Sequence, residues 1–279
     1  MIDLHTHSTA SDGTLSPTRL VEEAAAAGVT ALALTDHDCV AGVEEAAQAA
    51  DTLGISFVAG IELSVSWSKQ TLHLVGLNLD IHHPALNSAL DQALEMRRRR
   101  AGEIARRLER HGVHDPLQGA LKYARTELIS RSHFAHYLVE QGHARDIRQV
   151  FKRYLVRGKP GFVNSEWMSL QQGVELIHQA GGLAVLAHPA RYRLSRTRMR
   201  TLLEAFRDMG ADAIEVVSGS HSAEENRAMA QIALEFNFPG SQGSDYHGPE
   251  KPWVQLGRLP PMHYRCTPLW EAGLDLDAG

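Results

Sequence analysis

Cysteine is scarce in this chain. Two cysteines among 279 residues, Cys39 and Cys266, cannot build a disulfide framework, and such sparing use suits a reducing cytosol. No apolar run approaches the roughly 18 residues that a membrane span needs. The first residues lack the basic stretch and apolar core of a secretory leader, so the expectation is a cytoplasmic protein without one. Aromatic residues make up only 6% of the chain. Internal repeats and low-complexity tracts are absent, and nothing implies an obligate protein partner.

Histidine and uneven charge are what the chain has. It carries 16 histidines and a net charge of −5. Residues 84–165 hold 16 Lys/Arg against 8 Asp/Glu, a net +8, while the remainder holds 12 against 25, a net −13. An acidic body suits bound cations, and a basic segment suits an anionic substrate.

The opening stretch, Asp3-Leu4-His5-Thr6-His7, reads as a strand running into the polar loop that carries Asp12. Residues two apart on a strand share a side, so His5 and His7 project together. Two imidazoles and a carboxylate suit a divalent ion of the Zn, Mn or Fe kind. Ser16-Pro17 reads as an N-cap with proline at the first helical position, and Gly28 closes that helix. A strand over 29–35 delivers Thr35-Asp36-His37-Asp38, a helix over 42–53 ends at Gly54, and a strand over 55–59 delivers Gly60-Ile61-Glu62. The next strand, 72–77, carries His73, which reads either as a core histidine or as a ligand. Alternating strands and helices predict a parallel sheet or barrel, with polar residues at the strand ends where active sites form.

From 84 to 165 the pattern becomes helical. Leu90, Leu94, Ala101, Ile104, Ala105 and Leu108 fit one helix face, and the run Arg97-Arg98-Arg99-Arg100 reads as a solvated face. Shorter helices follow near 117–123, 133–140 and 147–155. Alternation then returns: helix 170–179, strand 183–187 delivering His188-Pro189, helix 198–209, strand 213–217, helix 223–236, and strand 240–243 leading into Ser244-Asp245-Tyr246-His247. The expected organisation is a body of 1–83 and 166–279 interrupted by a helical insertion over 84–165.

Nine metal-competent residues thus recur at or just after strand ends: His5, His7, Asp12, His37, Glu62, His73, His188, Asp245 and His247. The motifs that carry them resemble the polymerase-and-histidinol-phosphatase (PHP) family of metallo-phosphoesterases. That resemblance implies a distorted (β/α)7 barrel whose helical insertion caps the C-terminal rim. It implies two or three divalent ions, and the mixed carboxylate and imidazole ligands put Mn2+ first, with Zn2+ or Fe2+ as alternatives. His5, His7, Glu62 and Asp245 would hold one ion. Glu62, His73 and His188 would hold a second, and Asp12, His37 and His247 a third. Asp12, His37, Glu62 and Asp245 would serve catalysis, in which clustered cations generate hydroxide from a bridging water near neutral pH. The leaving oxygen would be stabilised by a metal or protonated by a nearby acid, for which a rim histidine and Asp12 are the candidates.

Within the insertion, Ile129-Ser130-Arg131-Ser132-His133-Phe134-Ala135 and Phe151-Lys152-Arg153-Tyr154-Leu155 are similar to a bacterial subgroup of phosphatases and oligoribonucleases. The implied activity is removal of the 3′-phosphate of a nucleoside 3′,5′-bisphosphate. Exonuclease action on short RNA and histidinol-phosphate hydrolysis are the alternatives. A non-catalytic nucleic-acid-binding module fits poorly with nine ligand candidates and a pI near 6.3. Arg131, Ser132, His133 and Arg191 are the candidates for substrate contact. Arg191 reads equally well as a surface ion pair.

Overall fold

The computed structural model describes residues 1–250 and 253–276, so 251–252 and 277–279, both within the expected 166–279 part of the body, lie outside the described residues. Seven strands form one sheet in sequence order: β1 (Ile2–Asp3), β2 (Ala31–Leu34), β3 (Ser56–Trp67), β4 (Gln70–Leu77), β5 (Leu183–Leu186), β6 (Ala213–Ser218) and β7 (Gly240–Gly243). The two ends of the sheet meet: Leu4 N–H donates to Gln242 O at 3.0 Å, and Asp245 N–H to His5 O at 2.8 Å. The result is a nearly closed, distorted barrel.

Local signals place the helices. In α1 (Pro17–Ala26), the Ser16 side chain accepts from the Arg19 N–H, and proline occupies the first turn. Helix α2 (Val43–Leu53) ends on left-handed Gly54, φ 67°. The long α3 (Pro84–Glu109) is followed by α4 (Pro116–Leu121), α5 (Arg131–Glu140) and α6 (Ile147–Val150), which continues as a π-helical turn over Phe151–Leu155. Ala101, Ile104, Leu108, Phe134, Leu138 and Val150 from this region bury one another in their own apolar cluster. The chain returns to the barrel through α7 (Leu170–Gln179), α8 (Arg196–Asp208), α9 (Ala223–Phe236) and the short α10 (Leu269–Ala272).

Two expectations need correction. The sheet is not wholly parallel: β3 pairs with β4 antiparallel over Gly60↔Leu77 to Trp67↔Gln70, and β4 with β5 likewise. A two-residue turn joins β3 to β4, with Ser68 at φ 50° and Lys69 at φ 63°. Such turns usually announce themselves with Asn-Gly or Asp-Gly, and Ser-Lys gives no such signal. The hairpin extends β3 well past Ala59, so Glu62 lies within a strand rather than after one.

The arginine run is also not uniformly solvated. Arg98 and Arg99 are exposed, but Arg97 is buried. Its Nε and Nη2 reach Asp38 Oδ2 at 2.9 and 2.5 Å. The stripe of Ala93, Ala101, Ile104 and Leu108 passes through position 97, so helical geometry carries this guanidinium inward.

The two-residue strand period explains where the chemistry sits. Val58 and Glu62 share a face of β3, Val75 and His73 a face of β4, and Ala213 and Glu215 a face of β6. Val58, Val75 and Ala213 join one apolar cluster with Leu4, Ala33 and Val185. The same faces carry the polar residues at their other end. His73 precedes Val75 because β4 runs backwards.

Candidate active site

The nine candidates gather around Glu62, itself one of them and wholly buried, and five imidazoles face its carboxylate. Its Oε1 lies 2.8 Å from His73 Nδ1 and 3.0 Å from His188 Nε2. Its Oε2 lies 2.9 Å from His37 Nδ1, 3.2 Å from His7 Nε2 and 3.3 Å from His5 Nε2. Asp245 Oδ1 approaches His7 Nε2 at 3.3 Å and His247 Nδ1 at 3.6 Å. Asp12 Oδ1 faces His247 Nε2 at 3.4 Å and His37 Nε2 at 3.8 Å.

Backbone geometry aims these side chains. His188 (φ 29°) and Asp245 (φ 56°) occupy the left-handed region just past β5 and β7, which is costly for residues with a Cβ. The strain is held by hydrogen bonds, from His188 N–H to Glu215 Oε2 at 2.5 Å and from Asp245 N–H to His5 O at 2.8 Å. Gly243 is required for a different reason: a Cβ there would stand 2.2 Å from His5 Cβ. The Asp12 loop is tied down by Asp36, whose carboxylate accepts from Ser8 N–H at 2.8 Å, Ser8 Oγ at 2.6 Å and Ser11 Oγ at 2.5 Å.

The donor set suits divalent ions. Three groups have ligand atoms within 4.8 Å of one another: His5, His7, Glu62 and Asp245; His7, Asp12, His37 and His247; and His37, Glu62 and His73. The first group equals one expected ligand set, and the second adds His7 to another. The third differs from the set expected around Glu62 and His73: it contains His37, while His188 approaches the same Glu62 oxygen as His73. Ligand bonds of about 2.1 Å at near-tetrahedral or octahedral angles space donors by roughly 3–3.5 Å, which is the spacing seen. Glu62 Oε2 and His37 Nδ1 stand 2.9 Å apart, yet neither makes a hydrogen bond among the described residues. Asp12 Oδ1 is likewise buried without a hydrogen-bond partner among them. Atoms that converge without bonding one another are the donors a shared cation uses.

Electrostatics divides the imidazoles. Burial would lower His5 and His7, but Glu215 and Glu62 outweigh it for His5, holding it well above the usual range. Asp245 and Glu62 do the same for His7, raising it to about 9. Burial wins for His37, which is lowered, and for His188, which falls to about 4. Burial would raise Glu62, but His37, His73 and His5 keep it well below the carboxylate range. Against burial again, His37 and His247 lower Asp12, and His247, His7 and Arg191 lower Asp245.

Sequence reasoning overlooked Glu215. It is buried in β6, its Oε1 is 2.6 Å from His5 Nδ1, and its Oε2 takes the His188 N–H. The available signal was a single carboxylate inside the apolar strand Ala213-Ile214-Glu215-Val216-Val217. Such a group fixes the tautomer and aim of a ligating histidine. We expect Glu215→Gln to weaken metal affinity or turnover by roughly 10–100-fold while the fold persists. Metal titration of the variant checks this, and wild-type affinity and turnover together would remove Glu215 from the site. Asp3 was also overlooked. Burial raises its carboxyl to about 6 against the hydrogen bonds from Ser244, and it ties β1 to β7.

The substrate-contact candidates separate. Arg191 Nη1 is 2.6 Å from Asp245 Oδ2, so it pairs with the metal-competent cluster while half its side chain stays exposed. His133 is buried, and its Nδ1 accepts the Ser130 N–H in the capping box of α5. Ser132 gives its N–H to Ser130 Oγ at 3.0 Å. Ser130 Oγ in turn reaches Asp12 Oδ2 at 3.1 Å, linking the start of α5 to the cluster. The Arg131 guanidinium lies over Phe151, 5.8 Å from the ring centre.

A profile of the PHP domain matches residues 3–218. The chain belongs to the PHP family. A 3′,5′-nucleoside bisphosphate phosphatase of Chromobacterium violaceum is 44% identical over 273 residues, covering 96% of this chain and 95% of that one. A 5′-3′ exoribonuclease, Rnm of Escherichia coli, is 42% identical over 274 residues, covering 96% and 93%. The solved structure of an amidohydrolase from C. violaceum, with bound sulfate and no metal, superposes with a TM-score of 0.94 at 43% identity, covering 97% of this chain and 95% of that one. All nine metal-competent residues of this PHP chain sit on the barrel. The helical segment contributes charge and a contact to Asp12.

Proposed function

We propose that this PHP-family chain is a metal-dependent phosphatase that removes the 3′-phosphate of nucleoside 3′,5′-bisphosphates, leaving the 5′-nucleotide. The observation that carries the chemistry is the gathering of nine His, Asp and Glu side chains, with Glu62 facing five of the imidazoles. Likeness to the C. violaceum phosphatase over nearly the whole chain supports the substrate. His5, His7, Asp12, His37, Glu62, His73, His188, Asp245 and His247 would hold two or three divalent ions. Mixed imidazole and carboxylate donors favour Mn2+, with Zn2+ or Fe2+ as alternatives. Bound ions would supply an activated water and neutralise phosphoryl charge. Among these residues, Glu62, Asp245, Asp12 and His37 are the catalytic set. Arg191 orients Asp245 and keeps donors for the reacting phosphate. Segment 84–165 acts as a substrate cap, with Arg131 directed to the phosphate that stays. Its +8 charge favours a substrate with two phosphates over a monophosphate. Exonuclease action on short RNA is the second reading, favoured by likeness to Rnm. The two free cysteines agree with a cytoplasmic setting.

Release of phosphate from adenosine 3′,5′-bisphosphate and histidinol phosphate, and of mononucleotides from a short RNA, each with added Mn2+, tests the reading. Fastest turnover of the bisphosphate supports it, and fastest turnover of either competitor overturns it.

Metal loading should release protons. Histidine ligates only when neutral, and His7, raised to about 9, carries an extra proton near pH 7.5 in the ion-free protein. Adding Mn2+ to chelator-treated protein at pH 7.5 should therefore release about one proton per chain. Apparent affinity should rise with pH until His7 is neutral, above about 9. A pH-stat titration checks the sign, and loading without proton release contradicts it.

A further inference from the structure

Outside the metal-competent cluster, the polar side chain left worst served is His221. Both of its ring nitrogens are buried without a hydrogen-bond partner among the described residues. A buried donor or acceptor without a partner costs stability, and native structures keep few of them. His221 lies in the loop between β6 and α9, where its N–H donates to Ser218 O at 3.0 Å. It lines a cavity of about 360 Å³ together with Ser218, Gly219, Trp253, Arg258 and Leu259. That volume falls in the roughly 300–1,000 Å³ range of small-molecule sites. The loop supplies polar groups. The tail after β7 supplies a buried side chain, Leu259, and an indole, Trp253, that is 74% exposed. An indole so bare leaves a large flat apolar face in water.

The cavity stands beside the cluster. Gly219 N–H donates to Gly243 O at 3.0 Å, and a Cβ on Gly219 would stand 2.2 Å from Ser244 O. Ser244 is followed by Asp245, a member of the cluster. The helical segment meets the rim elsewhere, at the loops after β1 and β2, where Ser130 bonds Asp12 and Arg97 bonds Asp38. A nucleotide whose 3′-ester sits at the cluster carries its base on C1′, away from the C3′ and C5′ that bear phosphate. The loops after β6 and β7 are the part of the rim left to receive that base. The chemistry also fits a flat heterocycle. An aromatic face stacks on any base, and a guanidinium does the same. A neutral imidazole gives a proton at one nitrogen and takes one at the other, and its tautomer can change. His221 can therefore meet a donor or an acceptor on a base edge.

We propose that Trp253 and His221 form a nucleobase site, in which the base stacks on the indole and bonds the imidazole. The assignment rests on the nucleotide reading above. Stacking and an imidazole of either tautomer accept every base, so the site senses that a base is present rather than which one. It selects nucleotides over sugar phosphates.

The test uses Mn2+-loaded protein as wild type, Trp253→Ala, Trp253→Phe and His221→Phe. Tyr264→Ala is the control, since Tyr264 is another exposed aromatic of the tail and does not line the cavity. Calorimetry compares adenosine 5′-phosphate and uridine 5′-phosphate with ribose 5-phosphate, which has no base. Wild type should bind the two nucleotides more tightly than ribose 5-phosphate by roughly 5–100-fold, the scale of stacking one base on an aromatic ring. Trp253→Ala should remove most of that preference and leave ribose 5-phosphate binding unchanged. Trp253→Phe should restore much of it. His221→Phe should weaken both nucleotides severalfold, yet without nucleotide it should melt no lower than wild type, because two unpaired buried nitrogens are gone. A purely structural histidine would show the reverse. Equal binding of adenosine 5′-phosphate and ribose 5-phosphate by wild type, or a preference that survives in Trp253→Ala, overturns the site. So does an equal loss on nucleotide and sugar phosphate. If wild type releases no phosphate from adenosine 3′,5′-bisphosphate yet prefers adenosine 5′-phosphate through Trp253, the site stands and the substrate reading falls.

Discussion

Glu62→Gln is expected to lower kcat/KM by at least about a thousandfold, roughly 4 kcal/mol of transition-state stabilisation. The substitution keeps size and removes one negative charge from a carboxylate facing five imidazoles. An amide offers one acceptor oxygen, whereas both Glu62 oxygens are turned toward donors. Two of the three metal-competent groups contain Glu62. The variant should therefore bind at least one ion fewer per chain. Glu62 sits within β3, held by backbone pairing of Val75 and by the bond from its N–H to Asp36 O at 3.1 Å. The fold should persist, visible as an unchanged far-ultraviolet dichroism spectrum. Elemental analysis and steady-state kinetics decide it. Full turnover with unaltered metal content would place the chemistry elsewhere.

Arg97→Ala should be the most damaging change to stability outside the metal-competent cluster, costing about 3–5 kcal/mol. Both members of the Arg97–Asp38 pair are nearly inaccessible, with side chains 5% and 2% exposed. Removing the guanidinium strands a carboxylate that keeps only the Ser64 N–H. It also frees the left-handed turn at Asp38, φ 46°, which follows His37. Burial would raise the Asp38 carboxyl, but Arg97 and Ser64 hold it below its usual value. The pair's contribution is therefore present above the unfolded carboxylate value near 4 and fades as pH falls through the folded one. Denaturant titrations at pH 7 and pH 3 should show the gap between variant and wild type narrowing at the lower pH. Arg97→Met with Asp38→Asn should recover much of the loss, since replacing both partners leaves no buried charge. A single alanine variant within 1 kcal/mol of wild type at pH 7 would contradict this account.

What the sequence showed and hid follows from the range of each signal. His5-x-His7 and Asp245-x-His247 were legible as pairs two apart just past β1 and β7, although Asp245 itself is left-handed. The helices Leu170–Gln179 and Ala223–Phe236 were legible to the residue, with a Ser cap at each start. The β3–β4 hairpin was hidden because Ser68 and Lys69 adopt positive φ without the residues that usually do so. Glu215 and Asp36 act by reaching groups far along the chain, 210 residues away for Glu215 and His5. Local pattern carries no such information. Arg97 and Arg100 sit side by side with exposed Arg98 and Arg99, and only the exact phase of α3 separates them. Grouping of ligands around Glu62 was hidden likewise: which imidazoles share an oxygen depends on turns such as His188.

The most direct measurement is phosphorus magnetic resonance of adenosine 3′,5′-bisphosphate during turnover by the Mn2+-loaded enzyme, with the metal removed before the spectrum is taken. The account predicts that the 3′-phosphate signal is replaced by inorganic phosphate while the 5′-phosphate signal persists, and that a chelator stops the reaction. Loss of the 5′-signal instead, or turnover undiminished by chelation, would contradict it.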